Sequence, residues 1–130
     1  QYSKKAIEEL QVFIDFFPLN PKVADAELKI KELNDKLARK EYETARIYDK
    51  MEYYLAAFKY YDSVMEIYHD TKYAPLALYN KINLLVNKNR ESEALSESQK
   101  FIDKYPQHQN YNDVEKIKSL LESRLSVNPK

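Results

Sequence analysis

The side chains able to do covalent or acid–base chemistry are few and scattered. The sequence holds two histidines, His69 and His108, with no cysteine and no glycine. Both histidines fall in stretches that read as loops, with no second histidine at metal-binding spacing, so neither is expected to ligate a metal. Carboxylate pairs such as Glu8 with Glu9, or Asp25 with Glu27, share their helices with lysines three or four residues away. They read as solvated faces, because a general acid or base needs an apolar pocket to move its pKa. Without cysteine there are no thiol nucleophiles, disulfides or thiolate metal sites, and the redox compartment stays open. Without glycine there is no Walker-type or dinucleotide-binding phosphate loop. The expectation is a non-enzymatic chain with no catalytic residue, no cofactor and no metal.

What the sequence does supply is helical periodicity. Its 130 residues are 44% hydrophobic with 21 basic and 21 acidic side chains, a composition that suits one compact domain or a short repeat array. A neutral balance argues against a nucleic-acid binder, which carries a basic face. No stretch approaches the ~18 apolar residues of a membrane span, and the N-terminus lacks the layout of a signal peptide. One pattern occurs three times: Ala6, Ile7, Leu10, Phe13, Ile14, Phe17, Pro18; then Ala57, Phe58, Tyr61, Val64, Met65, Tyr68, His69; then Ala94, Leu95, Ser98, Phe101, Ile102, Tyr105, Pro106. Spacings of three and four put these side chains on one helix face, headed by an alanine that lets a neighbour approach closely. Of the 12 tyrosines, Tyr48, Tyr61, Tyr68 and Tyr105 fall on such stripes and read as core, whereas Tyr60 and Tyr111 fall off them and are expected at the surface.

The helices that carry these stripes can be placed in order. The first runs over about 3–16 and ends at Pro18. Asn20 and Pro21 then read as N-cap and first helical residue. From Val23 to about Met51 no breaker intervenes: Ala26, Ile30, Leu33 and Leu37 form one stripe, and Ala38, Tyr42, Ala45 and Tyr48 continue it with an offset. The reading is one long helix, straight or kinked near Leu37, whose first half packs on the first helix and whose second half packs on the third. A turn at 51–53 leads to a helix with Leu55, Phe58, Tyr61, Val64, Met65 and Tyr68. Pro75 opens the next (Leu78, Ile82, Leu85, Val86), which stops at Asn87-Lys88-Asn89, where asparagine takes the left-handed conformation in place of glycine. A helix over about 91–104 follows. Asn112 and Glu115 read as a capping box for a last helix striped by Val114, Ile117, Leu120, Leu121 and Leu125.

Antiparallel helix pairs with small residues at fixed offsets resemble the tetratricopeptide repeat, which stacks hairpins of about 34 residues into a solenoid. Ala57 and Ala94 take the small position of the repeat's second helix, B, and Ala45 with Tyr48 the small and aromatic positions of its first, A. The fold class expected is all-α: a tetratricopeptide-type α-solenoid of antiparallel hairpins with one long shared helix and a C-terminal capping helix. Its parts are 1–18 as the second helix of a truncated repeat, 21–69 as the long helix with its helix B, 75–106 as a further repeat, and 112–126 as the cap.

Within that class, the runs Leu37-Ala-Arg-Lys-Glu-Tyr-Glu-Thr-Ala-Arg-Ile-Tyr48, Tyr54-Leu-Ala-Ala-Phe-Lys-Tyr-Tyr61 and Tyr68-His-Asp-Thr-Lys-Tyr-Ala-Pro75-Leu-Ala-Leu-Tyr79 resemble the C-terminal half of the BamD family. These are tetratricopeptide lipoproteins of the outer-membrane β-barrel assembly machine. The family often has a glycine in the 51–53 turn and a proline at position 69, and this chain has neither. The resemblance implies a scaffold at the periplasmic face of the outer membrane, attached only through an N-terminal lipid upstream of Gln1. It implies docking on the membrane-proximal POTRA domain of BamA beside other lipoproteins of the machine, while recognition of unfolded outer-membrane proteins belongs more to the upstream half.

The same architecture suggests two candidate surfaces. The turns between helices A and B emerge on one edge, so Lys50, Met51, Glu52, Tyr53 and Tyr54 are expected near Lys88, Asn89 and Arg90. Mixed charge with adjacent tyrosines suits a protein interface; the plainer alternative is ordinary solvated turns. The concave face is lined by helix A positions, Arg39, Tyr42 and Arg46 followed by Tyr79 and Asn83. That groove would hold an extended peptide or its carboxylate, as in a generic tetratricopeptide adaptor. The plainer alternative there is that Arg39 and Arg46 pair with Glu43 and its neighbours while Tyr42 packs against the adjacent helix.

Overall fold

The computed structural model describes residues 2–127. It contains six helices: α1 (Tyr2–Phe16), α2 (Val23–Lys50), α3 (Tyr54–Ile67), α4 (Tyr73–Asn87), α5 (Glu91–Lys104) and α6 (Tyr111–Val127). Each packs on its neighbour in sequence, and α2 also meets α4. The result is the expected all-helical solenoid of stacked hairpins. The long helix is continuous, and its buried residues shift from Ala26 and Leu33 to Ala38 and Ala45. The offset in the sequence stripe thus rotates the apolar face, letting one helix serve α1 along its first half and α3 along its second.

The connections repeat as faithfully as the helices. At the end of α2, Tyr53 N–H donates to Tyr48 O at 2.9 Å and Glu52 N–H to Asp49 O at 3.1 Å; at the end of α4, Arg90 N–H donates to Leu85 O at 2.9 Å and Asn89 N–H to Val86 O at 3.1 Å. This is the Schellman closure, and it needs a left-handed residue: Glu52 has φ 63° and Asn89 φ 61°. The return loops repeat too. Phe17, Asn20 and Val23 N–H groups donate to Phe13, Phe17 and Asn20 carbonyls, as Tyr68, Thr71 and Ala74 do to Val64, Tyr68 and Thr71, and Tyr105, His108 and Tyr111 to Phe101, Tyr105 and His108.

Those loops correct two expected caps. Asn20 Oδ1 accepts Lys22 N–H at 2.9 Å, but the α-helical ladder starts only at Val23, so Pro21 lies in the turn before α2. The Asn112–Glu115 capping box does not form, because Asn112 is already inside α6. In the loop before it, His108 Nδ1 accepts Asn110 N–H at 3.0 Å, as Asn20 Oδ1 accepts Lys22 N–H before α2. The imidazole packs edge-on against Phe101, and burial pushes its pKa down, which keeps Nδ1 free to accept.

The core forms along α2 to α6, where Ala45, Ala57, Ala77 and Ala94 are buried at helix crossings around Phe58, Tyr61, Val64 and Leu85, and Leu78, Ile82, Phe101 and Val114 form a second cluster. The α1 stripe is less covered: Ala6, Leu10 and Phe13 are half-buried and Phe17 is exposed, because α1 packs chiefly on α2. Two leucines expected on buried stripes are exposed as well. Leu55 lies in the first turn of α3, beyond the end of α2. Leu120 lies on the flank of α6, which buries only Val114 and Leu121. Tyr60, expected at the surface, is half-buried and stacked on Tyr48 with ring centroids 5.4 Å apart.

A buried ion cluster fixes α4 to both flanking B helices. Lys81 Nζ lies 2.7 Å from Asp62 and 2.8 Å from Glu97, which also meets Lys100 at 3.2 Å. Burial alone would lower the Lys81 pKa, but Asp62 and Glu97 outweigh it and raise it. Burial alone would raise that of Glu97, but Lys81 and Lys100 hold it below its ordinary value.

Candidate partner-binding edge

The two A–B turns come together on one edge. Lys88 Nζ sits 3.5 Å from the centroid of the Tyr54 ring, and Arg90 Cζ 5.0 Å from that of Phe58. Each cation of the second turn is thus placed over an aromatic ring of the first hairpin, an attraction worth about 0.5–1 kcal/mol at exposed sites. Tyr54 Oη donates to Glu52 Oε1 at 2.9 Å. Arg90 donates twice to Glu93, at 2.8 and 2.9 Å, a bidentate pairing that fixes its guanidinium. Lys50, Met51, Glu52, Tyr53, Asn89 and Arg90 are exposed, while Tyr54 and Lys88 are half-buried against each other. Among the described residues Lys50 and Lys88 have no carboxylate within 4 Å.

Two further members of this surface do not stand out in the sequence: the helical spacing puts Leu55 on the core stripe, and nothing in it singles out Ile47. Ile47 is 56% exposed and Leu55 80%, beside Met51 at 52% and Tyr53 at 56%. Superposing the repeats in sequence carries the signal: with Ala57 on Ala94, Met51, Tyr53 and Leu55 fall on Lys88, Arg90 and Ser92.

The groove residues are largely engaged within the chain. Tyr42 Oη accepts from Asn80 Nδ2 at 2.8 Å and from Arg46 Nη1 at 3.3 Å, and its ring packs against Tyr61 and Tyr73. The hydrogen bond to Tyr42 keeps Arg46 firmly protonated, with its pKa raised. Arg39 pairs with Glu43 at 3.2 Å. Tyr79 Oη donates to Asp113 on α6 at 3.2 Å, and Asn83 Nδ2 donates to Tyr79 O at 3.2 Å. Tyr42 and Tyr79 therefore act as ties between successive A helices. Behind them Tyr61 Oη donates to Asp49 at 2.8 Å, and burial followed by that carboxylate raises the phenol pKa. His69 is exposed in its loop, and no group of three or more metal-ligating side chains occurs among the described residues.

A stack of antiparallel helix pairs with an exposed, mixed aromatic and charged edge is an α-solenoid of the tetratricopeptide class. No curated protein matches the chain, but a family model described as outer membrane lipoprotein, YfiO, matches residues 1–91, from α1 through the second A–B turn. The chain belongs to that family, the BamD-like lipoproteins of outer-membrane protein assembly. None of the helices among the described residues is long and apolar enough to cross a membrane.

Proposed function

We propose that this chain is the C-terminal half of a BamD-like scaffold and works without catalysis, docking on the membrane-proximal POTRA domain of BamA through the edge formed by its two A–B turns. Its place is the periplasmic face of the outer membrane, held by a lipid on a segment outside this chain, since none of these residues is a cysteine. The observation that carries the reading is the juxtaposition of Lys88 over Tyr54 and Arg90 over Phe58. It joins both turns into one surface with Lys50 unpaired at its margin. The concave groove is the less favoured site because Arg39, Tyr42, Tyr79 and Asn83 already spend polar groups on partners within the chain. The open face of α1 suits a helix packed as α2 packs on α3, which completes the first repeat.

Charge reversal tests the edge. Lys50→Glu should weaken capture of a purified POTRA domain by on the order of tenfold while the circular dichroism melt stays unchanged, and Arg90→Glu should weaken it too, with a small drop in the melt from the lost contacts to Phe58 and Glu93. Undiminished capture would remove the turns from the interface. Capture lost on Arg39→Ala, with both reversals silent, would move the site to the groove.

A further inference from the structure

The two A–B turns share one backbone and differ in what they show to solvent. Schellman hydrogen bonds of matching length close both. Yet Met51, Tyr53 and Leu55 stand where the second turn has Lys88, Arg90 and Ser92. The fold accepts lysine and serine where Met51 and Leu55 stand, so the hairpin does not call for those two apolar residues, whereas Tyr53 packs on Tyr48 with ring centroids 6.2 Å apart. Ile47 extends the patch: its counterpart Leu84 is only 3% exposed, within the core, whereas Ile47 is 56% exposed. Four large apolar side chains open to water around a single turn form a contiguous patch, which marks a contact surface.

The surroundings of the patch select the partner. A cleft of about 390 Å³ lined by Tyr42, Glu43, Arg46, Ile47 and Lys50 opens beside it. Glu43 is paired with Arg39, and Glu52, in the turn itself, keeps its charge while accepting from the Tyr54 hydroxyl. Arg46, Lys50 and Lys88 have no carboxylate within 4 Å among the described residues. An apolar centre is thus bordered by three cations that make no ion pair, against the single carboxylate of Glu52.

We infer that the α2–α3 turn is the anchor of the edge and takes an amphipathic segment of the partner protein whose apolar stripe is flanked by aspartates or glutamates. The apolar stripe covers Ile47, Met51, Tyr53 and Leu55, and one large side chain enters the cleft. The flanking carboxylates meet Arg46 and Lys50 on one side and Lys88 on the other. The α4–α5 turn contributes charge at the border and no apolar anchor. This inference rests on the edge being the docking surface, and it adds the partner's chemistry and the turn that dominates.

The test uses the double variant Met51→Lys, Leu55→Ser, which gives the first turn the residues that the second already carries, so its melt should match wild type. Two probes are titrated: a synthetic helical peptide with leucines at i, i+3 and i+4 flanked by glutamates, and the same peptide with lysines for the glutamates. The glutamate peptide should bind wild type on the order of tenfold tighter than the lysine peptide, and the double variant should lose a similar factor. No binding of the glutamate peptide, equal binding of both peptides, or undiminished binding by the variant would overturn the proposal. The purified POTRA domain separates the two readings. Equal capture by wild type and variant removes the anchor and leaves edge docking standing. Selective, variant-sensitive binding of the glutamate peptide without POTRA capture leaves the anchor standing and removes that partner.

Discussion

The α2–α3 and α4–α5 turns are a controlled comparison supplied by the molecule itself. Both end a helix A with one left-handed residue, both lead into a helix B headed by a buried alanine, Ala57 or Ala94, and both are closed by the same two hydrogen bonds. Everything required for the hairpin is therefore common to the two. Of what differs, Tyr53 rests on Tyr48, Lys88 on Tyr54, and Arg90 on Phe58 and Glu93, whereas Met51 and Leu55 stay largely open to water and are available for recognition.

The comparison can be broken most severely through the clamp that holds the two hairpins in relation. Lys81→Met leaves Glu97 and Asp62 without their shared cation and should lower stability by about 3 kcal/mol, measured by urea unfolding. The pH dependence should change with it. Because the Glu97 pKa is held below its ordinary value, its contribution is present above about pH 4.3, the unfolded carboxylate value, and is lost as pH falls through the lower folded value. Lys81, with its pKa raised above 10.5, contributes fully below that value and loses its share only as pH rises through the raised one. The variant should therefore show a shallower acid limb, and an unchanged limb would assign acid sensitivity elsewhere.

Smaller changes sharpen the comparison between repeats. Tyr61 and Ser98 occupy equivalent positions. Tyr61→Phe removes a hydrogen bond to Asp49 on the neighbouring helix and should cost about 1–2 kcal/mol. Ser98→Ala removes only a bond to the Ala94 carbonyl within its own helix and should cost less than about 1 kcal/mol. Equal losses would mean that the hydroxyl of Tyr61 does not tie α3 to α2. At the left-handed positions, Glu52→Gly should stabilise by about 0.5–1 kcal/mol, and Asn89→Gly by less, because asparagine already tolerates that conformation. The smallest effect on stability belongs to the surface itself: Met51→Lys with Leu55→Ser should stay within about 0.5 kcal/mol of wild type.

The helices, their order and the left-handed Asn89 were legible in the sequence because stripe spacing and breakers are local signals. The division of the long helix was legible too, as an offset between two stripes, but its continuity past Leu37 was not, because a kink and a rotated apolar face leave the same offset. The caps were less so. Asn112 has the residue type of a cap but lies inside α6, and the side-chain bond in the loop before that helix comes from the His108 ring nitrogen, which no residue preference announces. Burial at helix ends was also misjudged: Leu55 keeps helical spacing with Phe58, but α2 stops short of covering it, and chain ends in space are not written in a periodicity. The adjacency of the two turns followed from repeat geometry, whereas the Lys81 cluster required three helices to be placed. Its one sequence trace is Lys81 standing as the sole charged residue of α4.

Amide hydrogen exchange of the chain with and without a saturating POTRA domain reads the docking surface directly. Protection should concentrate at Ile47 to Leu55, with a weaker effect at Lys88 to Arg90, and leave the rest of α2 and α4 as in the free chain. Protection confined to the helix faces carrying Arg39, Tyr42, Tyr79 and Asn83, with both turns exchanging freely, would contradict it.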